Sequence, residues 1–339
     1  MILVTGGTGL VGSHLLLKLV NMGASVKAVY RDQNKLEGVR RVFSIYSEDS
    51  EKLLEDIQWV QADLTDLPSL EKAFEDVRHV YHCAAMISFD PNDFQALVQT
   101  NETGTANLVN LCVAKKIQKL CYVSSIAAIG KNPNSAMVDE ENEWRSTNAN
   151  PYALTKHLAE MEVWRGTQEG VPAVIVNPGV IIGPGFWDSG SGRLFRVAAR
   201  GSKYHPPGGS GFVCVDDVVL MMTELMNSKI ENERFIAVAE NLSYQQVLAK
   251  LARNLGRTEP SVEIPFWLLN ILWRLDWIWH AVSGRKRKLS QAQVTSLRDR
   301  TYYQNEKARE VLGFEYQSLD ECMLFSSKIF KESNPALSS

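Results

Sequence analysis

The first half of the chain alternates short apolar runs with longer stretches in which apolar positions recur every three or four residues. The runs cover residues 2–5, 25–30, 57–62, 79–84, 120–124 and 173–177. Each is short and mostly β-rich, as expected of strands buried on both faces. The stretches between them, such as 10–22, 69–76, 94–114 and 152–169, carry helical periodicity. Strands alternating with helices predict an α/β fold with a parallel sheet covered on its faces. Right-handed crossovers make that sheet doubly wound.

After Pro178 the rhythm breaks. Gly183-Pro184-Gly185 and Pro206-Pro207-Gly208-Gly209 form turn clusters, and helical stretches follow at 215–226, 243–254 and 265–282. The expected organisation is a dinucleotide-binding Rossmann domain over 1–178 and a smaller substrate-binding lobe drawn mainly from 179–332. Some segments of that second part are expected to return to the first domain, and 333–339 to form a frayed polar tail.

Composition changes this picture little. The 339 residues are 45% hydrophobic and 22% charged, an ordinary globular balance. A net charge of −3 leaves no basic excess for a polyanion, so no nucleic-acid partner is expected. Cys83, Cys112, Cys121, Cys214 and Cys322 show no CxxC spacing. They predict a reduced, cytoplasmic protein without disulfides or zinc. The histidines do not cluster and no HExxH occurs, so no metal is expected. Met1 leads at once into the first apolar run, which argues against a secretory signal.

The turn after the first strand carries the first chemistry. Gly6, Gly9 and Gly12 make a GxxGxxG pattern between a strand and a helix. One glycine accepts the tight turn, one lets backbone approach a pyrophosphate, and one lets helix and strand pack closely. Thr8, Leu10 and Val11 complete the loop and the first helical turn, whose N–H groups and dipole favour phosphate. The second run ends Tyr30-Arg31-Asp32. An acidic residue at that strand end selects NAD, whereas a guanidinium can hold a 2′-phosphate. Arg31 in that position, with Lys35 nearby, predicts NADP as the preferred cofactor. Asp32, one residue on, keeps NAD open. Asp63, ending the third run, suits either the adenine amino group or a helix cap.

Tyr152 and Lys156 stand four apart on a predicted helix and so share a face. A phenol with a pKa of about 10 is a poor acid–base catalyst at neutral pH unless a nearby ammonium lowers that value. Ser125, just past the fifth strand, is placed to polarise a substrate oxygen.

In this order the motifs resemble the extended short-chain dehydrogenase/reductase family over almost the full length. The resemblance rests on Thr5-Gly6-Gly7-Thr8-Gly9-Leu10-Val11-Gly12, Asp63-Leu64, Asn101 with Gly104-Thr105, Tyr122-Val123-Ser124-Ser125, Tyr152 with Lys156, Asn177-Pro178-Gly179, Gly183-Pro184 and 213–217. It implies Ser125, Tyr152 and Lys156 as the catalytic triad with Asn101 in support, Ser124 being the alternative serine. It also implies cofactor contacts from Leu64, Ala84, Ala85, Pro178 and Val180, and substrate contacts from Met86 and Asn177. Tyr204 is a further substrate candidate. Tyr30-Arg31-Asp32 and 174–185 are most similar to the dihydroflavonol 4-reductase and 3β-hydroxysteroid dehydrogenase-like branches. Sugar dehydratases carry Thr-Asp-Glu where this chain has Ser125-Ile126-Ala127, which disfavours that reaction. Cys214 departs from the histidine common in relatives. A homodimer is implied by the same resemblance.

One stretch stands apart. Residues 265–282 contain Trp267, Trp273, Trp277 and Trp279, and Arg285-Lys286-Arg287-Lys288 follow. At about 100° per residue Leu268, Ile271, Leu272, Leu275, Ile278 and Trp279 share an apolar face. The favoured reading is a core helix of the smaller lobe. A cover over the substrate pocket and a membrane-surface helix are the alternatives. His82 reads as a packed core residue.

These features predict an NADP(H)-dependent oxidoreductase that interconverts a ketone and a secondary alcohol on an apolar small molecule. A nucleotide-sugar epimerase with tightly bound NAD and a non-catalytic redox-sensing protein are the other readings.

Overall fold

Seven parallel strands form the central sheet of the computed structural model, which describes residues 1–131, 137–145, 150–283, 287 and 289–335. Arg285, Lys286, Lys288 and the tail residues 336–339 lie outside these. The strands are β1 (Ile2–Thr5), β2 (Val26–Tyr30), β3 (Ile57–Gln61), β4 (His79–His82) and β5 (Lys119–Val123), then Ala173–Pro178 and Glu233–Ala237. Across the sheet the order is Glu233–Ala237, Ala173–Pro178, β5, β4, β1, β2, β3. Every neighbouring pair is parallel. Chain order reverses between β1 and β4, which opens a crevice at the C-terminal strand ends. The expected doubly wound α/β sheet is therefore present.

Continuous apolar runs become strands covered on both faces: every residue of β5 and of Ala173–Pro178 is buried. On one face α1 (Leu10–Asn21) and the helix Val215–Asn227 bring Leu15, Leu16, Leu19, Met221, Met222 and Leu225 onto the sheet. On the other, Leu70, Leu108, Val109, Cys112, Ala159 and Val163 come from three helices. Full burial of such side chains stabilises by roughly 1.5–3 kcal/mol each, so these two layers hold the strand ends in place.

Three segments beyond residue 179 join this first core. Glu233–Ala237 is its edge strand, Val215–Asn227 packs on α1, and Ala308 and Phe314 enter the same cluster. A second layer is built on the sheet Val180–Ile182, Gly209–Cys214 and Glu240–Ser243. Its core holds Trp187, Phe195, Phe212, Leu251 and Phe330. No helix among the described residues is long and apolar enough to cross a membrane.

Two expectations change. The stretch 94–114 is not one helix: Phe94–Leu97 and Gly104–Ala114 are α-helical, and Val98–Thr103 between them is a π-helical turn. The cysteines are not all free, because Cys214 and Cys322 form a disulfide. They are 108 residues apart in sequence, and only the packing of helix Leu319–Ser333 on strand Gly209–Cys214 brings them together.

Gly179 is the step from the main sheet into the second one. Its N–H bonds Ala237 O at 3.0 Å, and a Cβ there would lie 2.4 Å from Gly211 O. That contact is with backbone and cannot be relieved by a rotamer change. Gly179→Ala is expected to cost about 1–3 kcal/mol, read as a lower urea midpoint. An unchanged midpoint would show that the strand around Gly211 gives way freely.

Candidate active site

The turn after β1 is built by close backbone contact. Gly6 has φ +69°, and a Cβ on it would lie 2.5 Å from Ala84 N, just past β4. A Cβ on Gly12 would lie 2.1 Å from Gly6 O, so α1 starts directly over the turn. Its N-cap is Gly9, no side chain caps it, and its first turn holds no acid. The first-turn N–H groups, together with the helix dipole, thus favour an anion. Thr8, Leu10 and Val11 remain partly exposed around this cradle, which fits a dinucleotide pyrophosphate.

The other expected cofactor positions lie along the same C-terminal sheet edge. Arg31 follows β2 and is exposed, with Nη1 3.6 Å from Asp63 Oδ2 beyond β3. Asp32 is turned to local use, accepting the Asn34 N–H at 3.0 Å and capping the short 3₁₀ turn Gln33–Lys35. Asp63 accepts the Thr65 N–H and hydroxyl at 2.9 and 2.7 Å. Burial works against its ionisation, but the Thr65 bonds and the Arg31 charge outweigh this and hold the carboxyl below its usual range. The Leu64 side chain is buried, and its carbonyl accepts from Asn107 Nδ2 at 2.9 Å. Ala84 and the exposed Ala85 follow β4, and Pro178 and Val180 flank Gly179.

Tyr152 stands in the first turn of helix Pro151–Gln168, whose start is fixed by Pro151 and by Asn150 accepting the Ala153 N–H at 2.8 Å. Its phenol lies beside the Ser125 hydroxyl. Burial raises the Tyr152 pKa, and the neighbouring Ser125 hydroxyl offsets part of that rise. Ser125 also accepts the Ala127 N–H at 3.1 Å. The neighbouring serine is committed elsewhere: Ser124 is buried and donates to Glu160 Oε2 at 2.6 Å. Geometry therefore separates the two serines. Asn177 is fully buried behind them, donating to Ser125 O at 3.0 Å and Glu160 Oε2 at 2.9 Å. Its amide nitrogen is thus committed to protein partners.

The expected Lys156–Tyr152 pairing is replaced by another. Lys156 Nζ donates to Tyr122 Oη at 2.6 Å and Val123 O at 2.9 Å, with the Tyr122 ring centroid 4.4 Å away. Equal helical facing did not decide this. A buried ammonium must satisfy its donors, and the strand end supplies a carbonyl and a hydroxyl deeper than Tyr152. Burial pushes the Lys156 pKa down to about 7, while Glu160 pulls it back up. Tyr122 stacks on His82, centroids 5.2 Å apart. The His82 ring nitrogens contact Thr5 Oγ1 at 2.7 Å and Thr105 Oγ1 at 2.9 Å. His82 is indeed a core residue, and burial lowers its pKa to about 3. A buried polar row thus runs from the residue before the glycine turn to Lys156.

Asn101 sits on the π-helical turn, a geometry often found at functional sites. It accepts the Met86 N–H at 2.7 Å and donates to Met86 O at 3.0 Å and Thr155 Oγ1 at 3.1 Å. It therefore fixes the Met86 backbone against the Tyr152 helix. Several contributors escaped sequence reasoning. Phe89 has its ring 5.8 Å from that of Tyr152, and Ser290 Oγ donates to Phe89 O at 2.6 Å. Arg234, on the edge strand, pairs with Glu160 at 3.0 Å. Glu160 carried a signal, being four residues past Lys156 on the buried helix face. Phe89 and Ser290 carried none. Tyr204 is not brought to this site: it is half exposed among Val197, Leu248 and Pro260.

A lysine whose folded pKa lies near 7 and whose unfolded pKa lies near 10.5 destabilises the folded state most below pH 7. Stability should rise as pH increases from about 7 to 10.5, because the unfolded chain holds the extra proton there. Urea unfolding across this window should show the rise in the wild type and flatten it in Lys156→Met. Equal slopes would refute the buried charge.

Comparison with known proteins gives four further findings. The sequence pattern of the NAD dependent epimerase/dehydratase family matches residues 2–238. A Synechocystis sp. protein named "Putative dihydroflavonol 4-reductase" is 28% identical over 330 residues, 94% of this chain and 91% of its own length. Sterol demethylase protein B of Methylococcus capsulatus is 30% identical over 270 residues, 78% of this chain and 77% of its own. Among solved structures, UDP-glucose 4-epimerase of Thermotoga maritima with UDP-glucose has the same fold. Its TM-score is 0.76 at 21% identity, over 98% of this chain and 99% of that one.

Proposed function

The chain belongs to the NAD dependent epimerase/dehydratase family, and from that premise we propose that it interconverts a ketone and a secondary alcohol on an apolar small molecule, with NADP(H) as its preferred dinucleotide. The observation that carries this reading is the placement of Ser125 beside Tyr152 at the C-terminal sheet edge, on the same edge as the glycine cradle. The name of the Synechocystis relative, which matches over nearly its full length, favours reduction.

Bound NADPH would supply the reducing equivalent to the carbonyl carbon. Ser125 orients the carbonyl oxygen, and Tyr152 gives it the proton through the phenol that Ser125 already contacts. Lys156, held by Tyr122 Oη and Val123 O on the helix that carries Tyr152, would supply a donor to the cofactor ribose. Burial raises the phenol pKa, so the hydroxyl enters the reaction protonated, and its proton passes to the strongly basic alkoxide that forms on the carbonyl oxygen. Asn101 is a positioning residue that sets Met86 and the Tyr152 helix. Phe89 and Met86 give the pocket wall its apolar character. Arg31 is the group for a 2′-phosphate, since Asp32 is occupied by its own turn.

Tyr152→Phe should lower NADPH-dependent ketone reduction by about 10²–10⁴-fold while leaving NADPH binding intact. Full activity in that variant would overturn the assignment. Arg31→Ala should weaken NADPH at least about tenfold, the scale of a lost charged hydrogen bond, and leave NADH unchanged. Equal loss for both cofactors would remove Arg31 from the selection. The same preparation separates an epimerase, which would carry NAD through purification and consume none with ketones.

A further inference from the structure

The helix Phe266–Ser283 lies on the molecule with its most apolar face turned outward. At about 100° per residue, Trp267, Ile271, Leu275, Ile278 and Val282 fall on one side, with Leu272 and Trp279 on its flank. All seven are exposed, Leu275 by 55%, Trp279 by 61% and Val282 by 82%. The opposite side rests on the protein. Leu269 is the one buried residue among the helix's described side chains, Arg298 lies over the Phe266 ring at 4.7 Å, and Asp276 Oδ2 accepts the Leu289 N–H at 3.1 Å. Trp273 Nε1 donates to Asn270 Oδ1 at 3.2 Å. The side with Phe266, Leu269, Asn270, Trp273 and Asp276 thus faces the body, while the stripe of Trp267, Ile271, Leu275, Ile278 and Val282 faces out and Trp277 is exposed as well, the reverse of a core helix. The expectation of a core element is overturned.

A contiguous apolar face of this kind marks an interaction surface, and the charges choose the occupant. The helix carries one acid, Asp276, and it is on the inner side. The chain continues directly into Arg285-Lys286-Arg287-Lys288. A second copy of this helix would bring an apolar stripe but no acidic complement to four cations. An anionic bilayer brings both an acyl boundary and negative head groups. Tryptophans near both ends of the stripe suit a helix lying in the interface, and none of the described helices can span the bilayer.

We propose that Phe266–Ser283 docks flat on an anionic lipid surface with its apolar stripe in the acyl boundary, the basic residues that follow it in the sequence adding attraction to anionic head groups. The docked element adjoins the site. Leu289 is bonded to Asp276, and Ser290 holds Phe89 O, whose ring stands beside Tyr152. A lipid-dissolved ketone would reach the pocket by this wall. That last step rests on the proposed reaction, but the docking does not, since no turnover enters its test.

The full chain is sedimented with vesicles of phosphatidylcholine alone and of phosphatidylcholine with phosphatidylglycerol, at low and high salt. It should partition onto the anionic vesicles at least about tenfold better than onto the neutral ones, and less so at high salt. A Leu275→Glu/Ile278→Glu double variant should stay in the supernatant while binding NADPH as the wild type does. Wild type left in the supernatant with both vesicles would overturn the proposal, and so would a double variant that sediments equally well. A dimer that vesicles fail to dissociate and that the double variant converts to monomer would assign the face to a second copy instead.

Discussion

The carboxylate of Glu160 is fully buried, and four elements meet on it. It accepts Ser124 from the end of β5, Asn177 from the adjacent strand and Arg234 from the edge strand, while itself belonging to the Tyr152 helix. A buried charge is tolerable only when its oxygens are filled. Here one oxygen takes a hydroxyl and an amide, and the other takes a guanidinium. Removing one partner from such a group typically costs several kcal/mol, because the remaining charge has no water to fall back on. The consequence reaches the chemistry. The same carboxylate and amide fix the Ser124–Ser125 backbone and the rotation of the helix that carries Tyr152 and Lys156. Ser125 meets Tyr152 because neither element can shift without stranding Glu160.

This node also explains the division of labour between adjacent residues. Side chains of neighbours on a strand end point to opposite sides, so Ser124 goes inward to Glu160 and Ser125 goes to the crevice. Along the helix, Tyr152 is near the surface end, while Lys156 and Glu160 descend beneath the sheet edge. The ammonium ends against Tyr122 and Val123 O, and Tyr122 leans on His82, which is bonded to Thr105 and Thr5. Neutral and charged polar groups in this row are each partnered inside the protein. The low pKa of His82 follows first from its full burial and then from the Lys156 charge nearby.

What the sequence disclosed follows from the range of the interactions involved. The strand and helix rhythm, the glycine turn and the YxxxK spacing are local, and each was legible before any coordinates. Three-residue and four-residue spacings say which residues share a face. They do not say what lies opposite, and this is where expectation and structure part. Tyr152 and Lys156 do share a helix, but the lysine found partners on a strand more than thirty residues away. Cys214 and Cys322 meet through packing of a C-terminal helix that no spacing rule anticipates. The π-helical turn at Asn101 was hidden inside a stretch that reads as ordinary helix.

The Trp-rich helix is the sharpest case, because its amphipathic pattern was read correctly and its orientation was not. Periodicity measures the contrast between two faces, and both a core helix and an interfacial helix have that contrast. The deciding information was in the other face. Phe266, Leu269, Asn270, Trp273 and Asp276 form a stripe with aromatic bulk and with hydrogen-bonding groups that can meet Leu289 and Arg298. A stripe of that composition binds protein surface, where polar partners are available. A stripe of Ile271, Leu275, Ile278 and Val282 gains most in a medium with none. This helix turns its mixed face toward the protein and leaves the apolar one exposed. Reading both stripes, rather than the larger moment, separates an interfacial helix from a core one.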